Sequence, residues 1–134
     1  MNFLNRWTEP VFCLLRLIVG LLFACHGADK IFGMFGGKIA AAPLIQIGGW
    51  IELGCGALIA LGLFTRIAAF LASGMMAVAY FMAHAKGGFF PIVNHGEAAV
   101  LYCWIFLFIF FHGPGRWSID ALWSRPASSP KDTR

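Results

Sequence analysis

Six acidic residues and four histidines are the first candidates for acid–base chemistry in this chain of 134 residues, and one of the carboxylates stands where a charge is costly. Glu52 lies near the start of an apolar run from Ile47 to Phe64, inside the string Gly-Gly-Trp-Ile-Glu-Leu-Gly-Cys-Gly that ends at Gly56. No residue within the run can neutralise it. An ionised side chain at a bilayer centre costs roughly 2.5 to 3.5 kcal/mol on insertion scales, so Glu52 is expected to face protein or a wet cavity. The other candidate groups sit at the ends of apolar runs: His26, Asp29 and Lys30 close the first, His84 closes the third, and His95 and Glu97 open the fourth. A carboxylic acid among imidazoles can relay protons, and two carboxylates with two imidazoles can hold a transition metal. The Glu-x-x-His pattern of di-metal bundle sites does not occur.

The elements that must position these groups are membrane spans. The sequence is 60% hydrophobic and 12% charged, with a mean hydropathy of +0.77, far more apolar than a soluble domain of this length. It leaves room for one domain of three to five spans with short loops and none for a separate soluble catalytic domain. The net charge of +4 comes from scattered Lys and Arg without a basic run, which argues for membrane topology and against nucleic acid. Cys13, Cys25, Cys55 and Cys103 lie in or at the ends of apolar runs, with no CxxC and no zinc-site spacing. They read as small apolar residues, except that Cys55 stands one turn from Glu52. Arg6 followed by an apolar stretch to Ala24-Cys25 resembles a signal peptide, but the three hydrophobic runs that follow favour a retained first span.

The pattern predicts an all-α four-helix membrane bundle occupying residues 1–120, with spans at about 10–32, 44–64, 66–84 and 95–112 and a flexible cytoplasmic tail over 121–134. Thr8-Glu9-Pro10 has the form of a helix start, Thr65 of a cap for the third span, and Asn94 with Glu97 of a capping box. Helical spacing puts Cys13, Arg16, Gly20, Phe23, Gly27 and Lys30 on one stripe of the first span, which is expected to face the bundle. The second span presents Gly48, Glu52, Cys55, Ile59 and Gly62 on one face, and the third presents Ser73, Met76, Tyr80 and His84. Arg6, Arg66, Arg116, Arg125, Lys131 and Arg134 fall on one side of such a bundle and Lys30, Lys38 and Lys86 on the other, which places both termini in the cytoplasm.

That topology carries His26, Glu52, His84 and Glu97, one from each helix, to the outer side, with Glu52 roughly 10 Å deep at 1.5 Å per residue. Together they would make an outward-facing polar pocket, with Phe23, Trp50, Tyr80 and Trp104 as walls. Such a pocket suits a small amphipathic ligand, and a quinone ring fits because its carbonyls need donors and its reduction needs proton carriers. Each group also has a plainer reading. Glu97 serves equally as a helix-start carboxylate, His84 and His95 as interfacial residues, Arg16 as a side chain snorkelling to the surface, and the aromatics of the fourth span as lipid-facing bulk.

Several strings resemble the DoxX family of small bacterial membrane proteins. They are Arg16-Leu-Ile-Val-Gly20, His26-Gly-Ala-Asp-Lys-Ile-Phe-Gly33, Phe35-Gly-Gly37, Gly49-Trp-Ile-Glu-Leu53, Gly62-Leu-Phe-Thr-Arg66, Asn94-His-Gly-Glu97 and the ending from Gly113 to Asp120. The resemblance implies a multi-pass protein of the bacterial inner membrane with four helices, associated with redox or oxidative-stress complexes. Its motif residues fall here on Arg16, His26, Lys30, Glu52, Arg66 and Glu97, while His95 stands where a small residue is expected.

Three functions follow as expectations. The first is a quinone-interacting redox protein or accessory subunit of a membrane oxidoreductase, with Glu52, Glu97 and His26 in the proton chemistry. Trp50, Tyr80, His84, Lys30 and Trp104 would then line the ligand, and Arg16 and Arg66 would make structural ion pairs. The second is a metal or haem site built from His26, Glu52, His84 and Glu97. The third is a non-enzymatic anchor or assembly factor whose polar cluster only holds the helices together. A transporter would need a homodimer to give room for alternating access.

Overall fold

The computed structural model describes residues 2–124; most of the expected tail, residues 125–134, lies outside them. The described residues are helical, with no strands. Helix α1 spans Asn2–Phe32, α2 Pro43–Leu61, α3 Thr65–Ala79, α4 Pro91–Asn94, α5 Glu97–His112 and α6 Ile119–Trp123. α3 continues through a π-helical turn, Tyr80–His84, into a 3₁₀ turn, Ala85–Gly87. Three helical stretches, Phe3–Phe32, Pro43–Leu61 and Thr65–Gly87, are long and apolar enough to cross a membrane, and Glu97–His112 is a shorter apolar helix.

The helix α1 starts earlier than Thr8-Glu9-Pro10 suggests. It runs through Pro10, whose missing N–H costs one hydrogen bond at a turn where Arg6 is exposed and its freed carbonyl can meet water. Along the seam between α1 and α2 the two backbones nearly touch. A Cβ at Gly20 would run into Ala60 and the Gly56 carbonyl, one at Gly56 into Ala24 and the Gly20 carbonyl, and one at Gly27 into Gly49 and Leu53. Small residues at such a seam let dispersion and main-chain contacts replace the hydrophobic drive that helix pairs lack in lipid. The predicted stripe holds: Cys13, Arg16, Gly20, Phe23 and Gly27 are buried and Lys30 half-buried.

The second helical layer pairs α3 with α5, and α2 also packs on α3. Between the layers lie Phe23, Ile59, Ala69, Ala72, Phe106 and Ile109, all nearly inaccessible. Phe23 meets Phe106 at a centroid distance of 4.7 Å. Large apolar side chains such as Ile18, Leu21, Phe70, Leu71, Leu101 and Phe108 point outward, as they would toward lipid tails.

Two expected caps are replaced by others. Gly62, with φ of 70°, ends α2, and Phe64 takes the left-handed conformation before α3. Thr65 is the first residue of α3 and not its cap, because the N-terminal N–H groups are taken by Asp120 from the far end of the chain. Asn94 and Glu97 form no capping box: Asn94 ends the short α4, and Gly96 precedes α5. The segment 121–124, expected in the tail, is ordered by α6, whose Ser118 hydroxyl accepts from the Ala121 N–H.

Candidate functional site

Glu52 is the deepest charge at the end of the bundle where α1 finishes and α2 begins. Its side chain is 3% exposed, and Oε1 lies 2.5 Å from Lys30 Nζ on α1. The partner that no neighbour in its own run could supply comes from one helix away. Lys30 is 39% exposed, so the pair joins a buried carboxylate to the protein surface through an ammonium group. Glu52 Oε2 is buried and has no hydrogen-bond partner. A buried carboxylate oxygen left unpaired carries a desolvation cost, and it is a ready acceptor for a donor brought by a ligand or for a proton.

Tyr102 of α5 packs against α1 at the same end of the bundle. Its ring meets His26 edge-on at 6.0 Å and Phe23 at 5.4 Å. Tyr102 was placed by the sequence among lipid-facing aromatics, yet the spacing Ala99, Tyr102, Phe106, Ile109 follows the inward face of α5, and Ala99, Phe106 and Ile109 are buried. That periodicity is the signal that marks it.

The remaining expected site residues are distributed. His26 is exposed, as is Glu97 at the first position of α5. Trp50 and Trp104 are 57% and 66% exposed, and Trp50 meets Phe32 at 5.9 Å. Tyr80 and His84 belong to a second cluster built by the π-helical turn. There buried Asn94 donates to the Tyr80 hydroxyl at 3.1 Å and to the Gly88 carbonyl at 2.6 Å, while its Oδ1 accepts from the Gly96 N–H. Tyr80 donates to the Phe89 carbonyl, and His84 Nδ1 lies 3.2 Å from the Asn94 carbonyl. This network ties the chain between α3 and α5 to the bundle.

Among the described residues no three of His, Cys, Asp and Glu come together closely enough to hold a metal. His26, Glu52, His84 and Glu97 therefore do not form one coordination site, because the exposed His26 and Glu97 turn outward and His84 is engaged with α4. The four cysteines are free thiols. Cys103 receives a contact from Ser73, whose hydroxyl donates to the Cys103 carbonyl at 2.8 Å.

Arg16 and Arg66 work at the opposite end of the bundle. Arg16 is 2% exposed and donates from Nη2 to the Trp117 carbonyl at 2.6 Å. It does not snorkel; the segment after α5 covers it, and its Nε and Nη1 are without partners. Arg66 donates to the Phe110 carbonyl at 2.7 Å, at the C-terminal end of α5, where a cation meets the negative end of the helix dipole. Neither arginine makes an ion pair at salt-bridge distance with a described carboxylate. Burial by itself raises the Asp120 carboxyl, but hydrogen bonds from the Thr65 N–H, the Thr65 hydroxyl and the Phe64 N–H, with the charge of Arg16, outweigh it. Together they hold Asp120 below the ordinary carboxylate range.

The DoxX family profile matches residues 11–85 of the chain. An uncharacterized protein of Haemophilus influenzae is 41% identical over 128 residues, covering 90% of this chain and 96% of its own length. An uncharacterized membrane protein of Mycobacterium tuberculosis is 31% identical over 139 residues, covering 90% of this chain and 85% of its own. No solved structure matches.

Proposed function

The chain belongs to the DoxX family of membrane proteins, and from that premise we propose that it is a quinone-interacting accessory subunit of a membrane redox complex. It crosses the bacterial inner membrane four times with both termini in the cytoplasm. The short α4 and the apolar α5 together complete the fourth crossing, and the arginines gather beside the termini as positive-inside topology requires.

The observation that carries this reading is the buried, unpartnered Oε2 of Glu52 beside the Lys30 ammonium. A quinone carbonyl needs a donor, and Lys30 supplies one beside Glu52, with the Tyr102 and His26 rings in edge contact at the same end of the bundle. When bound, the quinone would supply the redox-active ring, with electrons coming from the partner complex. This chain's share is to hold the ring and to carry protons. Glu52 accepts or gives a proton at Oε2, Lys30 links it to the surface, and Glu97 and His26 stand exposed where protons enter from outside. Trp50 and Trp104, both largely exposed, would border the approach of the ligand from the bilayer.

Titrating the purified protein with a short-chain quinone tests this. A saturable change in tryptophan fluorescence is expected, weakened in Glu52→Gln; a linear, non-saturable response would end the quinone reading. The non-enzymatic anchor is the second reading, favoured by the close backbone seam of Gly20, Gly27 and Gly56, to which the Lys30–Glu52 pair adds a further tie. For an anchor, Glu52→Gln lowers thermal stability in detergent and no quinone affects either protein.

A further inference from the structure

Two adjoining cavities open at the end of the bundle that carries residues 2–16 and 113–123, far along the helices from Glu52. The first, about 370 Å³, is lined by Asn5, Arg6, Glu9, Cys13, Arg116 and Trp117. The second, of similar volume, shares Arg116 and Trp117 and continues over Leu61, Ile119 and Leu122. The first is a cleft of a size that holds small ligands, and the second is a shallow groove open to the surface. Both linings mix polar and apolar groups: Arg6 and Arg116 stand in the first, and in the second Arg116 and Ser118 lie beside Leu61, Ile119 and Leu122.

The charge around them is positive and poorly compensated. Among the described residues Arg6 and Arg116 have no ion-pair partner. Glu9 is the one carboxylate in the first lining: one oxygen accepts from the Arg116 N–H at 3.3 Å and the other lies 3.6 Å from His112 Nε2. Behind the shared wall, buried Arg16 donates to the Trp117 carbonyl and keeps two nitrogens unpartnered, adding a fixed cation to the same region. The position is also that of a membrane boundary. The Arg6 guanidinium lies over the rings of Phe3 and Trp7, and Trp117 and Trp123 are exposed beside the cavities, as in an interfacial aromatic belt.

We infer that these cavities bind an anionic phospholipid, with its phosphate between Arg6 and Arg116 and its glycerol and first acyl carbons over Leu61, Ile119 and Leu122. A guanidinium pair recognises a phosphate through charge-assisted hydrogen bonds. Free phosphate shares that chemistry but leaves the groove over Leu61, Ile119 and Leu122 unfilled, so those apolar side chains select the lipid. The bound lipid would also brace the segment 113–123 against α1, since Arg116 and Trp117 belong to both.

Full-length protein, delipidated in a neutral detergent, is titrated with short-chain phosphatidylglycerol, short-chain phosphatidylcholine and inorganic phosphate, reading tryptophan fluorescence and thermal midpoint. Saturable binding of phosphatidylglycerol is expected, at least about tenfold tighter than phosphatidylcholine, and Arg6→Gln with Arg116→Gln should remove that preference. Arg6→Lys with Arg116→Lys retains the charge and should retain most of the preference. Equal response to the two lipids overturns the proposal, and this comparison needs only the unmodified protein. A response to inorganic phosphate that displaces phosphatidylglycerol at similar concentration also overturns it, in favour of a free-anion site. An unaltered preference in the folded double glutamine variant overturns the assignment to these arginines.

Discussion

Lys30 Nζ on α1 meets Glu52 Oε1 on α2 at 2.5 Å, and the two partners differ sharply in exposure, 39% for the lysine side chain and 3% for the glutamate. Removing either therefore has unequal effects. Lys30→Met strands a buried carboxylate and is expected to cost about 3 kcal/mol, the low end for a broken buried pair. Glu52→Gln leaves an ammonium that can turn to water and should cost clearly less. Thermal unfolding in detergent compares them, and a larger loss in the glutamine variant would contradict the arrangement.

The seam between α1 and α2 predicts a position-specific response to a single methyl group. Gly56→Ala places a Cβ against the backbone of Ala24 and Gly20, where no flexible side chain can yield, and should destabilise by roughly 1 to 3 kcal/mol. Gly54→Ala, two residues away, meets open space and should be neutral or slightly stabilising, since alanine favours helix. Equal midpoints for the two variants would contradict the seam.

Asp120 predicts a pH effect at the opposite end. Its carboxyl is held below its ordinary range, so the stability it contributes is complete above the unfolded pKa of about 3.9 and is lost as pH falls through the lower folded value. Acidification into that window should release the segment around Trp117 and Trp123, seen as a fluorescence change that Asp120→Ala shows already at neutral pH. At neutral pH that variant should lose about 1 to 2 kcal/mol, since it removes a helix N-terminal acceptor.

Asn94 predicts a local effect on the chain between α3 and α5. Asn94→Ala breaks its bonds to Tyr80, Gly88 and Gly96 at a buried position, and should cost about 2 kcal/mol while raising hydrogen exchange of residues 85–96. Exchange spread evenly over the bundle would instead mean a global role.

Much of the bundle can be read from the sequence because its inward stripes combine helical spacing with residues that lipid disfavours. Cys13, Arg16, Gly20, Phe23 and Gly27 are buried as their spacing predicts. The pairings across helices are harder to read. Lys30 as the partner of Glu52, and Asp120 as the cap of α3, join positions 22 and 55 residues apart, and no local pattern encodes such a meeting. The π-helical turn at Tyr80–His84 is similarly silent, its Tyr80 being engaged by Asn94 from the far side of the loop. Tyr102 was legible by period and hidden by composition, since it stands in a run of aromatics of which Trp104, Phe108 and Phe111 face outward.

The capping of α3 by Asp120 also sets an order of events during synthesis. The ribosome finishes α3 long before it reaches Asp120, 55 residues after Thr65. Until then the first N–H groups of α3 lack their acceptor and Arg16 lacks the Trp117 carbonyl. The closing of this end therefore cannot precede the synthesis of residues 117–120, after the whole hydrophobic sequence has been made. A chain stopped after α5 would present an open end with a bare buried arginine, and cellular quality control could recognise it as unfinished.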